Sequence, residues 1–164
     1  MRLLTHNTMR NNSKEAKGKG FPLKITATEI RVDNSNNNNS NNNNNNNNHH
    51  NCHNDTAQIA FVKSLLSSSR LDWSALVQAC SEMGLSSTTA PAGGQQQLQL
   101  LLPPVLTDDM ANNDDFLKAL YSILMNVQLV QGMLTCPVTG REFPVTDGIP
   151  NMILDEDECE HVRF

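Results

Sequence analysis

The chain has 164 residues, a formal net charge of −5, one tryptophan, one tyrosine and five phenylalanines. An acidic balance argues against the whole molecule binding a phosphate backbone by itself, and with so few aromatic residues the core must be mostly aliphatic. No apolar run approaches the ~18 residues that span a bilayer, and the opening MRLLTHNTMR has too short an apolar stretch for a signal peptide.

Four cysteines without a secretory signal point to a reducing compartment, so cytoplasm and nucleus are the expected locations and disulfides are not expected. Charge is unevenly spread. Residues 1–31 hold seven basic and two acidic groups, residues 105–164 three basic and eleven acidic, and ends of opposite sign joined in one sheet would partly neutralise each other. The basic run Arg10, Lys14, Lys17 and Lys19 reads first as a solvated loop and second as a local RNA contact.

Residues 1–7 form a short apolar segment leading into a polar loop. In Phe21-Pro-Leu-Lys-Ile-Thr the apolar residues Phe21, Leu23 and Ile25 alternate as in a half-buried strand. Ile30 and Val32 have the opposite parity, which a bulge near Ala27 to Glu29 would correct. Residues 34–54 are almost entirely asparagine, serine and histidine. Such a tract buries too little apolar surface to offset its ordering entropy and is expected to be disordered. His49, His50, Cys52 and His53 fall there, and without a scaffold to fix ligand geometry they are not assigned as a metal site. Setting this tract and the Gln/Gly/Ser-rich residues 86–97 aside leaves about 130 residues, enough for one domain.

Asp55-Thr-Ala-Gln58 has the form of a capping box, followed by Ile59, Val62 and Leu66 on one face with Phe61 and Leu65 flanking them. Asp72 is placed to cap a second helix with Trp73, Leu76, Val77 and Cys80 on one stripe and Gly84 at its end. After Pro103-Pro104 a third helix is predicted from about Asp108 to Asn126, acidic at its start, with Phe116, Leu120, Ile123, Leu124 and Val127 buried. Strand chemistry then returns over residues 127–136, with Gly132 as a bulge or bend, and over 142–146 and 149–154. Turns separate these at 137–140 and 147–148, and the acidic residues from 155 onward are expected to fray. The predicted class is α+β: a small antiparallel sheet from residues 1–33 and 127–154, an asparagine-rich insertion at 34–54, a helical insert at 55–126 and an acidic tail at 155–164.

No catalytic constellation emerges. Gly18, Gly20, Gly93 and Gly94 lie in polar loops rather than after a strand, so no nucleotide-cofactor loop is assigned. Cys136 and the serines have no histidine near them in sequence, and only His6 and His161 lie outside the asparagine tract. Asp108-Asp109 and Asp114-Asp115 fit helix starts. Cys136-Pro-Val-Thr-Gly140 has the shape of a zinc knuckle, Cys-x-x-Cys-Gly, but Thr139 stands where the second thiolate belongs. Cys52 is in the asparagine tract, Cys80 on a helix core face and Cys159 in the acidic tail, so no metal ligand set is assigned.

Five fragments in order and spacing carry a resemblance: Met1-Arg-Leu-Leu-Thr-His-Asn7, Gly20-Phe-Pro-Leu-Lys with Ala27-Thr-Glu-Ile-Arg31, Asp72-Trp73, Gln131-Gly-Met-Leu-Thr-Cys-Pro137 and Gly148-Ile-Pro-Asn-Met-Ile-Leu154. The chain resembles the multifunctional methyltransferase subunit family, small eukaryotic activators of tRNA, ribosomal RNA and release-factor methyltransferases. The resemblance implies a zinc-ribbon-like sheet built from both termini with a helical insert, and a protein without activity of its own. It implies heterodimers with several catalytic subunits that bind S-adenosylmethionine, formed by strand addition and covering of apolar surface. Some members carry four zinc-ligating cysteines; here residues 8–20 contain none and Thr139 replaces another, so the zinc-free members are the better match and no zinc is expected.

The physical reading agrees with that role. Residues 149–154 are short, apolar and last in their sheet, and Pro150 suits an edge strand. Ile149, Pro150, Asn151, Met152, Ile153 and Leu154 are therefore the candidate partner interface, with core packing as the competing role for Ile149, Met152 and Leu154. Leu4, Phe21 and Phe143 read as core. RNA is expected to be met only through the complex, and neither membrane binding nor self-association is expected. The competing function is a degenerate zinc ribbon binding nucleic acid directly; a stand-alone enzyme ranks third.

Overall fold

The computed structural model describes residues 1–33, 52–85 and 102–159; the asparagine-rich tract up to Asn51, the predicted loop at 86–97 and the last five residues lie outside it. The described elements are α1 (Leu3–His6), β1 (Lys24–Val32), α2 (Cys52–Ser67), α3 (Trp73–Glu82), α4 (Asp108–Ala111), α5 (Asp114–Asn126), β2 (Val127–Thr135), β3 (Glu142–Thr146), β4 (Ile149–Pro150) and a 3-10 turn (Glu156–Glu158). This is an α+β fold with one antiparallel sheet, in the order β1-β2-β3-β4. No helix among the described residues is long and apolar enough to cross a membrane.

The long β1–β2 pair is the spine. It runs from Lys24 opposite Thr135 to Val32 opposite Val127, with the register slipping around Glu29. The irregularity turns Ile25 and Ile30 to the core side despite their opposite parity, as the bulge reading requires, while Val32 at the strand end stays 37% exposed. Gly132 lies opposite this kink, and a Cβ there would come within 2.5 Å of the Thr26 carbonyl oxygen. Only glycine lets the strands approach so closely. Met1 and Arg2 lie along the other side of β2, beyond the end of β3. The Met1 nitrogen donates to the Leu129 carbonyl at 2.7 Å, the Leu129 N–H donates to the Met1 carbonyl at 2.8 Å, and Arg2 bridges to Gln128.

Several local expectations need correction. Within the opening apolar segment Leu3–His6 forms a helical turn, which buries His6 as well as Leu3. Phe21 precedes the strand and is only half-buried, under the Arg10 guanidinium, 5.7 Å from the ring centroid. The helix at Cys52–Ser67 starts upstream of the capping-box sequence, so Asp55 sits in its first turn and pairs with Lys118 of α5 at 3.0 Å. The third predicted helix is two. Asn113 has an extended backbone, and its side chain accepts from the N–H groups of Asp115 and Phe116, capping α5 and separating it from α4. A pair of asparagines thus outweighed the apolar period.

The core lies between the sheet and the helices. Val62 of α2, Leu76 of α3, Leu117, Leu120 and Leu124 of α5, and Leu134 and Phe143 of the sheet are fully buried. Leu117, rather than the predicted Phe116, completes the inner face of α5; Phe116 instead tilts against Trp73, 6.3 Å between ring centroids, and Leu4 packs on the core as expected. Asp72 caps α3 by accepting from the Ala75 N–H, and Gly84, with φ +71°, follows the end of that helix as expected. The acidic run is held rather than frayed over residues 155–159. Asp155 and Glu158 close a capping box, and the Glu158 carbonyl accepts from the Lys14 N–H at 2.9 Å.

Candidate partner-binding edge

The turn between β2 and β3 positions the last segment of the sheet. The Cys136 N–H donates to the Arg141 carbonyl at 2.8 Å and the Gly140 N–H to the Cys136 carbonyl at 3.0 Å. Arg141 leaves this turn with its guanidinium over the Phe143 ring, 5.4 Å from the centroid. It donates through Nη2 to the Ile153 carbonyl at 3.2 Å and pairs with the Glu158 carboxylate. One planar cation therefore ties two points of the final segment to the sheet, a task that suits the guanidinium fork.

The predicted extended run 149–154 is strand only at Ile149 and Pro150, which pair with Thr146 and Val145. Pro150 has no N–H to continue a ladder. Beyond it the Asn151 N–H still donates to the Pro144 carbonyl at 2.9 Å, and Asn151 Oδ1 accepts from the Ile153 N–H at 3.2 Å. This path sorts the six residues by parity. Ile149 and Ile153 are 72% and 76% exposed, with Asn151 exposed between them. Pro150 is half-buried, while Met152 and Leu154 pack on the core. An open hollow of about 470 Å³ lies between Pro144 and Thr146 of β3 and residues 149–153. The opposite edge of the sheet is partly closed by α3, where the Glu82 carboxylate accepts from the Ile25 N–H at 2.6 Å.

The buried titratable groups serve the framework. His6 Nε2 is hydrogen-bonded to the Leu23 carbonyl at 2.8 Å, and its Nδ1 is buried without a partner among the described residues. Burial holds the imidazole below its ordinary pKa, although the Leu23 hydrogen bond and the Glu82 charge pull the other way. Burial also pushes the Cys80 thiol up to about 12.

The knuckle holds a hydrogen-bonded cluster of different chemistry from a zinc site. Cys136 is buried, and its Sγ accepts from the Thr139 N–H at 3.5 Å. Asn11 Nδ2 donates to Thr139 Oγ1 at 3.3 Å. Burial disfavours the Cys136 thiolate, but hydrogen bonds from Thr139, Asn11 and Val138 outweigh it and hold the thiol below its ordinary pKa. One thiol, a neutral hydroxyl and a carboxamide do not fit Zn²⁺, which is held in structural sites by four cysteine or histidine ligands. Among the described residues no three His, Cys, Asp or Glu side chains converge as a possible metal site.

Two residues organise this region without a motif that marks them. Asn11 fastens the N-terminal loop to the knuckle, and Arg141 fastens the final segment. Arg141 had a signal, as the one basic residue between Lys118 and Arg163 in an acidic stretch; Asn11 had none among so many asparagines.

No protein-family model matches the chain. Curated relatives do. The multifunctional methyltransferase subunit TRM112 homolog A of Arabidopsis thaliana is 31% identical over 158 residues, covering 96% of this chain and 99% of the relative. The multifunctional methyltransferase subunit TRM112-like protein of Mus musculus is 29% identical over 160 residues, covering 98% and 99%. The multifunctional methyltransferase subunit trm112 of Schizosaccharomyces pombe is 30% identical over 89 residues, 54% of this chain and 60% of that one. With identity of this level sustained from end to end, the chain belongs to the multifunctional methyltransferase subunit TRM112 family.

Proposed function

We propose that this chain is a non-catalytic activating and stabilising subunit that forms heterodimers with several S-adenosylmethionine-dependent methyltransferases acting on tRNA, ribosomal RNA and translation release factor. The partner binds the cofactor and performs the chemistry; this chain contributes strand addition and covers apolar surface, without zinc. It works in cytoplasm and nucleus and does not self-associate. The relatives' names, as methyltransferase subunits, support the reading.

The observation that carries it is the exposed pair Ile149 and Ile153 on a sheet edge beside the hollow, with Met152 and Leu154 anchored beneath them. Fully covering an isoleucine side chain contributes about 1.5–3 kcal/mol, and the backbone of an edge strand offers a partner further hydrogen bonds. Affinity purification of the full chain should recover several S-adenosylmethionine-dependent enzymes in one-to-one complexes. Recovery of RNA with no methyltransferase would overturn the reading. Elemental analysis of the purified chain should show well below one zinc per molecule.

A further inference from the structure

Arg10, Lys14, Lys17 and Lys19 are all exposed, and the ion pairs among the described residues, Lys63–Asp114, Lys118–Asp55 and Arg141–Glu158, engage none of them. The backbone presenting them is fixed. The Asn11 N–H donates to the Gly20 carbonyl at 2.9 Å, closing residues 11–20 into one loop. Inside it the Ser13 N–H donates to Asn11 Oδ1 at 2.9 Å, the Ala16 N–H to the Ser13 carbonyl at 3.0 Å and the Lys19 N–H to the Ala16 carbonyl at 2.8 Å. Asn11, Ser13 and Ala16 are buried, and Asn11 holds the loop to Thr139 of the knuckle. Lys17 sits at φ +48°, a left-handed conformation in which a lysine is strained.

The outward residues of the loop are Asn12, Lys14, Glu15, Lys17, Gly18 and Lys19. They include no aliphatic or aromatic side chain, so the loop lacks the apolar anchor on which protein contacts concentrate their energy and which interfacial membrane helices insert. Phosphate oxygens need only charge and hydrogen-bond donors. Three ammonium groups and an amide on a fixed turn supply both, and Arg10 adds a cation at its base.

We propose that residues 10–19 contact a nucleic-acid phosphate backbone directly, and that the acidic residues 155–158 beside them weaken that binding. The Lys14 N–H to Glu158 carbonyl bond brings this segment against the loop, with Glu156 and Asp157 exposed. The inference goes beyond the heterodimer reading, in which RNA is met only through the partner, and it stands or fails separately.

The test is fluorescence anisotropy of the full chain with a labelled 20-nucleotide single-stranded RNA at several salt concentrations. Charge reversal in Lys14→Glu/Lys17→Glu/Lys19→Glu should weaken binding at least ~10-fold and make the salt slope shallower by about two to three, one step for each phosphate no longer neutralised. The milder Lys14→Gln/Lys17→Gln/Lys19→Gln should move both in the same direction if charge reversal perturbs folding. Glu156→Gln/Asp157→Asn should tighten binding by about two- to fivefold. The proposal is overturned if the wild-type chain shows no binding at 50 mM salt or if the lysine variants bind as wild type. Equal binding to anionic phospholipid vesicles, or loss of methyltransferase recovery in place of RNA affinity, would also overturn it. Failure of the heterodimer reading reads out separately, as absence of methyltransferases from the affinity purification.

Discussion

The Asn7 carboxamide grips the backbone of Asp72 twice, Nδ2 donating to its carbonyl and Oδ1 accepting from its N–H, both at 2.8 Å. The Asp72 side chain faces the other way and caps α3, accepting from the Ser74 hydroxyl at 2.7 Å and the Ala75 N–H at 2.9 Å. Those bonds, the Ser74 hydroxyl first, hold its carboxyl below the usual range. A residue just after α1 and a helix cap 65 positions later are thereby joined, which couples the N-terminal part of the sheet domain to the helices.

Asn7→Ala should therefore cost more than the loss of one ordinary surface bond. It leaves a part-buried donor and acceptor of Asp72 unmet, a penalty of about 1–3 kcal/mol in total. Asp72→Ala removes only the cap and should cost about 1 kcal/mol. Urea unfolding checks both. An Asn7→Ala loss below about 0.5 kcal/mol would show that water replaces the clasp.

His6 gives stability a defined pH dependence. Its folded pKa is depressed by burial, so between that value and the unfolded value of about 6.5 the unfolded chain holds a proton that the native one lacks. The contribution is complete above about pH 6.5 and is lost as pH falls from there through the folded value. The urea midpoint should be lower at pH 5.5 than at pH 7.5, and His6→Gln should flatten that difference while lowering stability at both. An unchanged difference in His6→Gln would assign the effect to another group.

Gly132→Ala tests the kink in the spine. The new methyl group meets backbone rather than a movable side chain, so the strands must separate, at a cost of about 1–3 kcal/mol. Wild-type thermal stability in this variant would mean that the strands yield without strain.

Legibility in the sequence followed how local each signal was. Asp72 and Gly84 mark α3, alternation marks β3, and the conflicting parity of Ile25 and Ile30 located a real bulge. The break before α5 is not legible in the apolar spacing, because it is made by the Asn113 side chain, which accepts from the Asp115 and Phe116 N–H groups. The short β4 was over-extended for a related reason. An apolar run with a proline reads as strand, yet after Pro150 the chain is held by single bonds through Asn151 and Arg141 rather than by a ladder. The candidate interface residues could be named as a segment but not sorted, because their inward or outward direction follows from how Asn151 and Arg141 hold the chain beyond Pro150.

That sorting separates binding from folding within two adjacent residues. Ile153 is 76% exposed, whereas Met152 packs against the core. Ile153→Asp removes apolar area that the free chain leaves in water, so its folding stability should stay within about 0.5 kcal/mol of wild type. Recovery of methyltransferases should nevertheless fall several-fold, since the partner would have to bury a carboxylate. Met152→Asp should do the reverse, costing a few kcal/mol of stability by placing a charge against apolar neighbours, and it loses partners only as it unfolds. Arg141→Ala should lie between the two, with a stability loss of about 1–2 kcal/mol and weaker partner recovery because Ile153 is no longer held in place. Parallel urea titration and affinity recovery of the three variants measure both axes. If Ile153→Asp keeps wild-type recovery at unchanged stability, the partner docks elsewhere and the edge at residues 149–153 is not the interface.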